Sequence, residues 1–334
     1  MQSLPQRKQR KINKMALKIL YAGSPEASAK TLEYLYKNQK EYGFEIAGVL
    51  TNPPSAKGRK KDLTPTATGL FARENNLPCF EPEHLDSECR KAILPLKADI
   101  LVCFAYGHIF GPKFLEMFKF GGINLHPSLL PKYRGCTPVP AAIINRDKET
   151  AVSIQTLSLK MDEGDILACQ KVPLNFTETS ESLLNDCALT GAELICKLLK
   201  QTAEEKRLPE GKAQSGQASY TGIITKEDAK INWNEKAEII EAKIRAYWQN
   251  PGAWCLYENQ PLKIIEAKVI AADNPSWQEK EKGTVLDFVK NEGIYIKTAE
   301  GILCVTKLQK QGKAAMNYKD FMNGARNFTG TVLQ

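Results

Sequence analysis

Apolar and polar positions divide the chain into two regimes. Residues 17–22, 44–51 and 100–104 are near-continuous apolar runs of strand length, the pattern of strands buried on both faces of a parallel sheet. The spacing between them predicts helices over 25–37, 66–75 and 86–94. Farther on come a short helix over 112–118, a strand at 122–125, a helix over 137–145 and strands at 151–157 and 166–174. Residues 180–200 carry Leu183, Leu184, Ala188, Leu194, Ile195 and Leu198 at helical spacing. Strand alternating with helix predicts a Rossmann-like, doubly wound α/β sheet.

The pattern then changes. Residues 201–217 have no apolar periodicity and read as part of an interdomain linker over 201–222. Beyond an amphipathic helix over 235–247 lie short strands at 252–256, 262–270, 283–288, 293–297 and 302–308, with turns between them and a helical turn at 318–323. Many short strands in succession predict a small, OB-like β-barrel. The expected division is a basic, disordered arm at 1–14, an α/β domain at 15–200, the linker, and a barrel domain at 223–334.

Composition narrows the function classes. A chain of 334 residues with 43% hydrophobic and 25% charged content suits a two-domain globular protein. No apolar run approaches the roughly 20 residues that span a bilayer. The nine cysteines include no Cys-x-x-Cys pair, so buried thiols in the reducing cytoplasm are expected rather than a disulfide framework or zinc ribbon. Only His84, His108 and His126 could supply imidazole ligands, which argues against a histidine-rich metal site. Gly23-Ser24-Pro25 after the first strand is not a dinucleotide fingerprint, so no nicotinamide cofactor is indicated. The net charge of +8 suits an anionic partner.

The candidate chemistry lies in residues 121–135, Gly-Gly-Ile-Asn-Leu-His-Pro-Ser-Leu-Leu-Pro-Lys-Tyr-Arg-Gly. Pro127 and Pro131 end the strand in a rigid loop, and ligands of α/β sheets bind at that edge. Asn124 and His126, two apart, share one strand face. An amide donor beside a group that titrates near neutrality could polarise a carbonyl and manage a proton. Either residue alone is more often structural, an Asn being a common turn former.

The whole string resembles the active-site stretch of the folate-dependent formyltransferases, Asn-x-His-Pro-Ser-Leu-Leu-Pro followed by a basic residue, an aromatic residue and Arg-Gly. Met161-Asp162-Glu163-Gly164-Asp165 resembles the family's Leu-Asp-x-Gly-Asp segment. The match implies that Asp162, rather than Asp165, completes a catalytic set with Asn124 and His126. It implies 10-formyltetrahydrofolate as co-substrate, bound along Ser128, Leu129, Leu130 and Pro131, with no metal. Ser158-Leu159-Lys160 departs from the pattern, since the family's tRNA branch has an acidic residue, a small residue and Gly there.

The resemblance extends to Thr51-Asn52-Pro53 and to Lys57-Gly58-Arg59 through Leu63-Thr64-Pro65, a loop inserted against the acceptor end of tRNA in that branch. Lys57, Arg59, Lys60 and Lys61 are the expected phosphate contacts, although such a charge run is more often a solvated face. Ile231-Asn232-Trp233, Ile244-Arg245-Ala246, Pro251-Gly252-Ala253-Trp254 and the stretch from Leu308 to Gly324 resemble the carboxyl-terminal domain of the methionyl-tRNA branch. That adds Arg245 to the expected tRNA contacts. The implied activity is transfer of the formyl group to the α-amine of methionine on initiator tRNA, by a cytoplasmic enzyme expected to be a monomer.

Three rivals stand beside it. A glycinamide ribonucleotide formyltransferase shares the three site residues but normally ends near the linker. A hydrolase or sugar-amine formyltransferase differs in its second domain. A non-enzymatic tRNA-binding protein accounts for charge and barrel, but not for the active-site string.

Overall fold

The computed structural model describes residues 16–57, 62–271, 274–325 and 327–334. The expected arm at 1–14 lies outside them. The chain forms two compact units: described residues up to Tyr106 with 110–123 and 195–210, and residues 107–109, 124–194 and 211–334.

The first unit begins with β1 (Leu17–Gly23), α1 (Glu26–Tyr42) and β2 (Phe44–Leu50). The short strands β3 (Ser55–Lys57) and β4 (Asp62–Thr64) follow, then α2 (Ala67–Glu74), β5 (Cys79–Phe80), α3 (Ser87–Ile93), β6 (Ile100–Phe104), α4 (Pro112–Leu115) and the start of β7 (Gly122–His126). Strands β6-β1-β2-β5 are neighbours in that order and run parallel. Every residue of β6 is buried, as its continuous apolar run requires. Helix starts carry their own signals: Thr66 caps α2 by accepting from the Gly69 N–H, and Asp86 caps α3 by accepting from that of Cys89.

Helix α1 runs five residues past its expected end at Lys37. Its last turn is polar and has no apolar period to read. Gly43, left-handed at φ 73°, stops it instead, its N–H donating to the Gln39 carbonyl. The flanks of the basic loop pair as an antiparallel ribbon, Ser55 opposite Thr64 and Lys57 opposite Asp62. Arg59, Lys60 and Lys61 lie outside the described residues, as does the side chain of Lys57.

The second unit takes β7 from Asn124 onward and adds β8 (Arg134–Gly135), α5 (Pro138–Ile144), β9 (Glu149–Thr156) and β10 (Ile166–Pro173). Its strand order here is β10-β9-β7, with β10 antiparallel to β9. Helix α6 (Ser180–Glu205) runs past the expected end at Lys200, because Thr202 and Ala203 are buried and the Thr202 hydroxyl bonds the Leu198 carbonyl.

Beyond it, β11 (Tyr220–Thr221) pairs in parallel with β8, and α7 (Ala237–Ala246) packs Ile240 and Ile244 into a separate apolar core. That core belongs to a curled antiparallel half-barrel of β12 (Trp254–Tyr257), β13 (Gln260–Ile270), β14 (Val285–Val289), β15 (Gly293–Lys297) and β16 (Ile302–Lys310), with α8 (Pro275–Gln278) between β13 and β14. The order is β12-β13-β16-β15-β14, and β17 (Met316–Asn317), before α9 (Tyr318–Asn323), adds to β16. Alternation along β15 sends Ile294 and Ile296 into this core and Tyr295 to the other face, against Trp277.

Residues 330–334 bridge the two outer strands of the half-barrel. Leu256 and Gln334 exchange both backbone hydrogen bonds, and Val285 N–H donates to the Thr331 carbonyl at 2.8 Å. Among the described residues no helix is long and apolar enough to cross a membrane.

Candidate active site

The site is built at the end of β7 and is contained in the second unit. Strand alternation places Asn124, half-buried, and His126, buried, on one face. Pro127 ends the strand, and the chain turns at once, the Ser128 N–H donating to the His126 carbonyl at 2.9 Å. Ser128 holds that turn: its hydroxyl donates to the Lys132 carbonyl at 2.6 Å and its carbonyl accepts from Ser153 Oγ at 2.7 Å. The turn brings the Tyr133 carbonyl to 2.9 Å from His126 Nε2.

Asp162 approaches from the turn between β9 and β10. Its backbone is left-handed, φ 54°, a conformation that Asp tolerates better than most residues. One carboxylate oxygen, Oδ1, accepts from Gln155 Nε2 at 2.8 Å and from Asn124 Nδ2 at 3.4 Å. The other, Oδ2, accepts from the Gly135 N–H at 2.7 Å and faces His126 Nδ1 at 3.5 Å. The three residues expected to form the catalytic set are thus brought together around one carboxylate.

Both nitrogens of the His126 ring face oxygen. A neutral imidazole donates from only one of them, and the shorter contact assigns that hydrogen to Nε2. Burial pushes the imidazole pKa down, while the Asp162 charge and the Tyr133 carbonyl oppose the shift. The resting ring is therefore neutral, beside a carboxylate that favours its protonation.

Gln155 and Gln214 were not singled out from the sequence. Gln155, buried in apolar β9, was detectable in principle as an amide inside a buried run. Gln214 carried no signal, because it lies in the polar stretch read as linker. Its Oε1 accepts from Arg134 Nη2 at 2.8 Å, and its Nε2 donates to the Asp162 and Gly164 carbonyls, each at 2.8 Å.

Ser128, Leu130 and Pro131 of the expected folate segment are buried. Leu129 lines a cavity of about 220 Å³ together with Lys132, Tyr133, Asp147, Lys148, Glu149 and Thr150. Arg245, one of the expected tRNA contacts, has partners within the protein. It is buried on α7, its guanidinium forked onto Glu241 at 2.6 and 2.9 Å and donating to the Glu178 carbonyl at 2.9 Å.

The family model described as formyl transferase matches residues 15–199, and the model described as formyl transferase, C-terminal domain, matches residues 223–326. The chain belongs to the formyl transferase family. Among formyl transferases it is 42% identical to the methionyl-tRNA formyltransferase of Treponema denticola, over 93% of this chain and 98% of the relative. The enzyme of that name from Dictyoglomus thermophilum is 35% identical over 93% of this chain and 97% of the relative.

Solved formyl transferases share the fold. An N-formyltransferase from Helicobacter canadensis, in complex with folinic acid and dTDP-3-aminofucose, aligns with a TM-score of 0.59 at 21% identity, covering 87% of this chain and 99% of that one. The methionyl-tRNA formyltransferase of Clostridium thermocellum aligns with a TM-score of 0.53 at 17% identity, covering 75% and 93%.

Proposed function

We propose that this chain transfers the formyl group of 10-formyltetrahydrofolate to the α-amine of methionine on initiator tRNA, acting in the cytoplasm. The observation that carries the reading is the 42% identity along nearly the whole of a methionyl-tRNA formyltransferase. On this reading residues 15–200 hold the chemistry, and residues 223–334 help to hold the tRNA.

The donor chemistry of the site suits a formyl group. Asn124 Nδ2 has two hydrogens, and its contact with Asp162 Oδ1 uses one. The second can meet the formyl oxygen. His126 Nδ1 becomes the other donor once the ring takes up a proton from solvent: at 3.5 Å its contact with Asp162 is long, which leaves that hydrogen open to the formyl oxygen, whereas the hydrogen on Nε2 stays on the Tyr133 carbonyl. Charge growing on the formyl oxygen favours the protonated ring, and so does Asp162.

The attacking amine titrates near roughly 8 in a free α-amino group, so it needs little help to be neutral. As the amine nitrogen bonds to the formyl carbon it must lose a proton. Asp162 accepts that proton, through a water, and returns it to the departing folate nitrogen as the bond from that nitrogen to the formyl carbon breaks. Ser128 shapes the folate-facing turn through its two hydrogen bonds, and Leu129 offers the partly exposed apolar surface.

The test is formyl transfer measured with charged initiator tRNA and 10-formyltetrahydrofolate. Formylmethionine on the tRNA, absent when either substrate is withheld, is the expected result. Formylation of a free amino-sugar or glycinamide ribonucleotide, with none on the tRNA, would overturn the reading.

A further inference from the structure

We propose that Gln214 is a positioning residue of the formyl-transfer site, holding the Asp162 turn so that the carboxylate stands against His126. The inference rests on the role assigned above to Asp162. It makes the segment between the two family-matched regions a working part of the site.

Gln214 meets the turn at both ends. Its two amide hydrogens go to the carbonyls of Asp162 and Gly164, each at 2.8 Å. The first of those carbonyls belongs to Asp162 itself, whose backbone stands at φ 54°, a conformation that an L-residue keeps only where its surroundings enforce it. The turn is wedged from the other side too: a Cβ at Gly164 would lie 1.8 Å from the Thr156 carbonyl oxygen.

The orientation of the Gln214 amide is dictated by its partners. Arg134 can only donate, and it reaches Gln214 Oε1 from Nε at 3.1 Å and from Nη2 at 2.8 Å. The backbone carbonyls can only accept. A flipped amide would set donor against donor and acceptor against acceptor.

Two further contacts carry the hold to the carboxylate itself. Gln214 Nε2 lies 3.3 Å from Gln155 Oε1, and Gln155 Nε2 donates to Asp162 Oδ1. Arg134, held by Gln214, immediately precedes Gly135, whose N–H fixes Asp162 Oδ2. The segment carrying Gln214 is itself tied down on either side. Lys212 exchanges backbone bonds with Ile166, and the Ser219 carbonyl accepts from the Arg134 N–H at 2.8 Å.

The experiment compares the full-length protein with Gln214→Ala, Gln214→Glu and, as a control in the same segment, Gln217→Ala. Steady-state transfer gives kcat and KM for both substrates. The imidazole signals give the titration of His126 without any substrate, only two other histidines being present to assign. Gln214→Ala should lower kcat by about tenfold to a hundredfold, the scale of a small misplacement in a reacting group, with both KM values within about twofold.

Gln214→Glu keeps an acceptor for Arg134 but loses the donors to the turn, and it should be at least as impaired. In both variants His126 should titrate at a different pH from wild type, and Gln217→Ala should match wild type throughout. Unchanged kcat with unchanged titration would remove Gln214 from the site. A loss confined to KM, or one matched by a fall in Tm, would make its role structural only. If the wild-type protein leaves charged tRNA unformylated, the functional reading fails, while the His126 titration still decides whether Gln214 sets Asp162.

Discussion

The backbone N–H of Gly135 stands 2.7 Å from Asp162 Oδ2, closer than any side chain that reaches this carboxylate. Gly135 has φ 103°, and a Cβ there would lie 2.2 Å from the Thr221 carbonyl oxygen. Gly135→Ala must push β8 away from β11 and carry the N–H off Asp162. We expect a loss of about 1–3 kcal/mol in stability, measured by urea unfolding. Turnover should fall in proportion greater than the unfolded fraction explains. Normal turnover in a folded Gly135→Ala protein would separate this N–H from the chemistry.

Removing the side chains proposed to act on the formyl group should be more severe. Asn124→Ala and Asp162→Ala are each expected to cut kcat by at least about a hundredfold, the scale of a lost oxyanion donor or acid–base group. Tight tRNA binding should survive in both, which a filter-binding measurement beside the transfer assay checks.

The pH dependence of stability follows from the buried imidazole. The unfolded chain's histidine binds a proton near roughly 6.5, and His126 in the folded chain only at lower pH. The unfolded state therefore takes up the proton first as pH falls. The contribution of His126 is full above the unfolded value and is lost as pH drops from there toward the folded pKa. Urea midpoints of wild type and His126→Gln, compared from pH 8 to pH 5, should show wild type losing ground below about 6.5. A constant difference would mean that burial does not hold the ring neutral.

Arg245 is expected to matter for stability and not for tRNA. Arg245→Ala leaves Glu241 without its partner in a largely buried place and should cost about 3 kcal/mol, seen as a lowered Tm. The tRNA affinity of the folded fraction should stay at the wild-type value. A variant of normal stability and weakened tRNA binding would restore Arg245 as a phosphate contact.

Lys57, Arg59, Lys60 and Lys61 carry the opposite expectation. Their replacement by Ala should hardly change stability, as expected of a charge run read from the sequence as solvated. It should weaken tRNA binding and flatten its dependence on salt, because phosphate contacts release counterions. Affinities measured across a salt series would show parallel, coincident lines if the run is only a solvated face.

The parallel sheet and the half-barrel were legible because their strands write themselves in short apolar runs, as in Ile100–Phe104 and in the Ile-Tyr-Ile of Gly293–Lys297. Helix ends were less so. The extra turns of α1 and α6 are fixed by Gly43 and by the burial of Thr202, neither of which alters hydrophobic period. In the site, Asn124 and His126 could be placed on one face from spacing alone. Asp162 came from a likeness between motifs, since an acidic turn looks the same whether or not it reaches an imidazole. Gln214 was hidden for a physical reason: a polar side chain that bonds backbone carbonyls leaves no hydrophobic trace, and its polar surroundings read as solvated. For Arg245, a sequence does not show that Glu241, one helical turn earlier, pairs with its charge.

The bridge formed by residues 330–334 also protects two sheet edges. Both Leu256 and Val285 find backbone partners in this segment, at Gln334 and Thr331. Without it the outer strands β12 and β14 would present open hydrogen-bonding edges, the kind of surface through which chains pair with the wrong neighbour. A few residues of irregular backbone thus do for the half-barrel what full closure does for a barrel: they leave no template for a foreign strand.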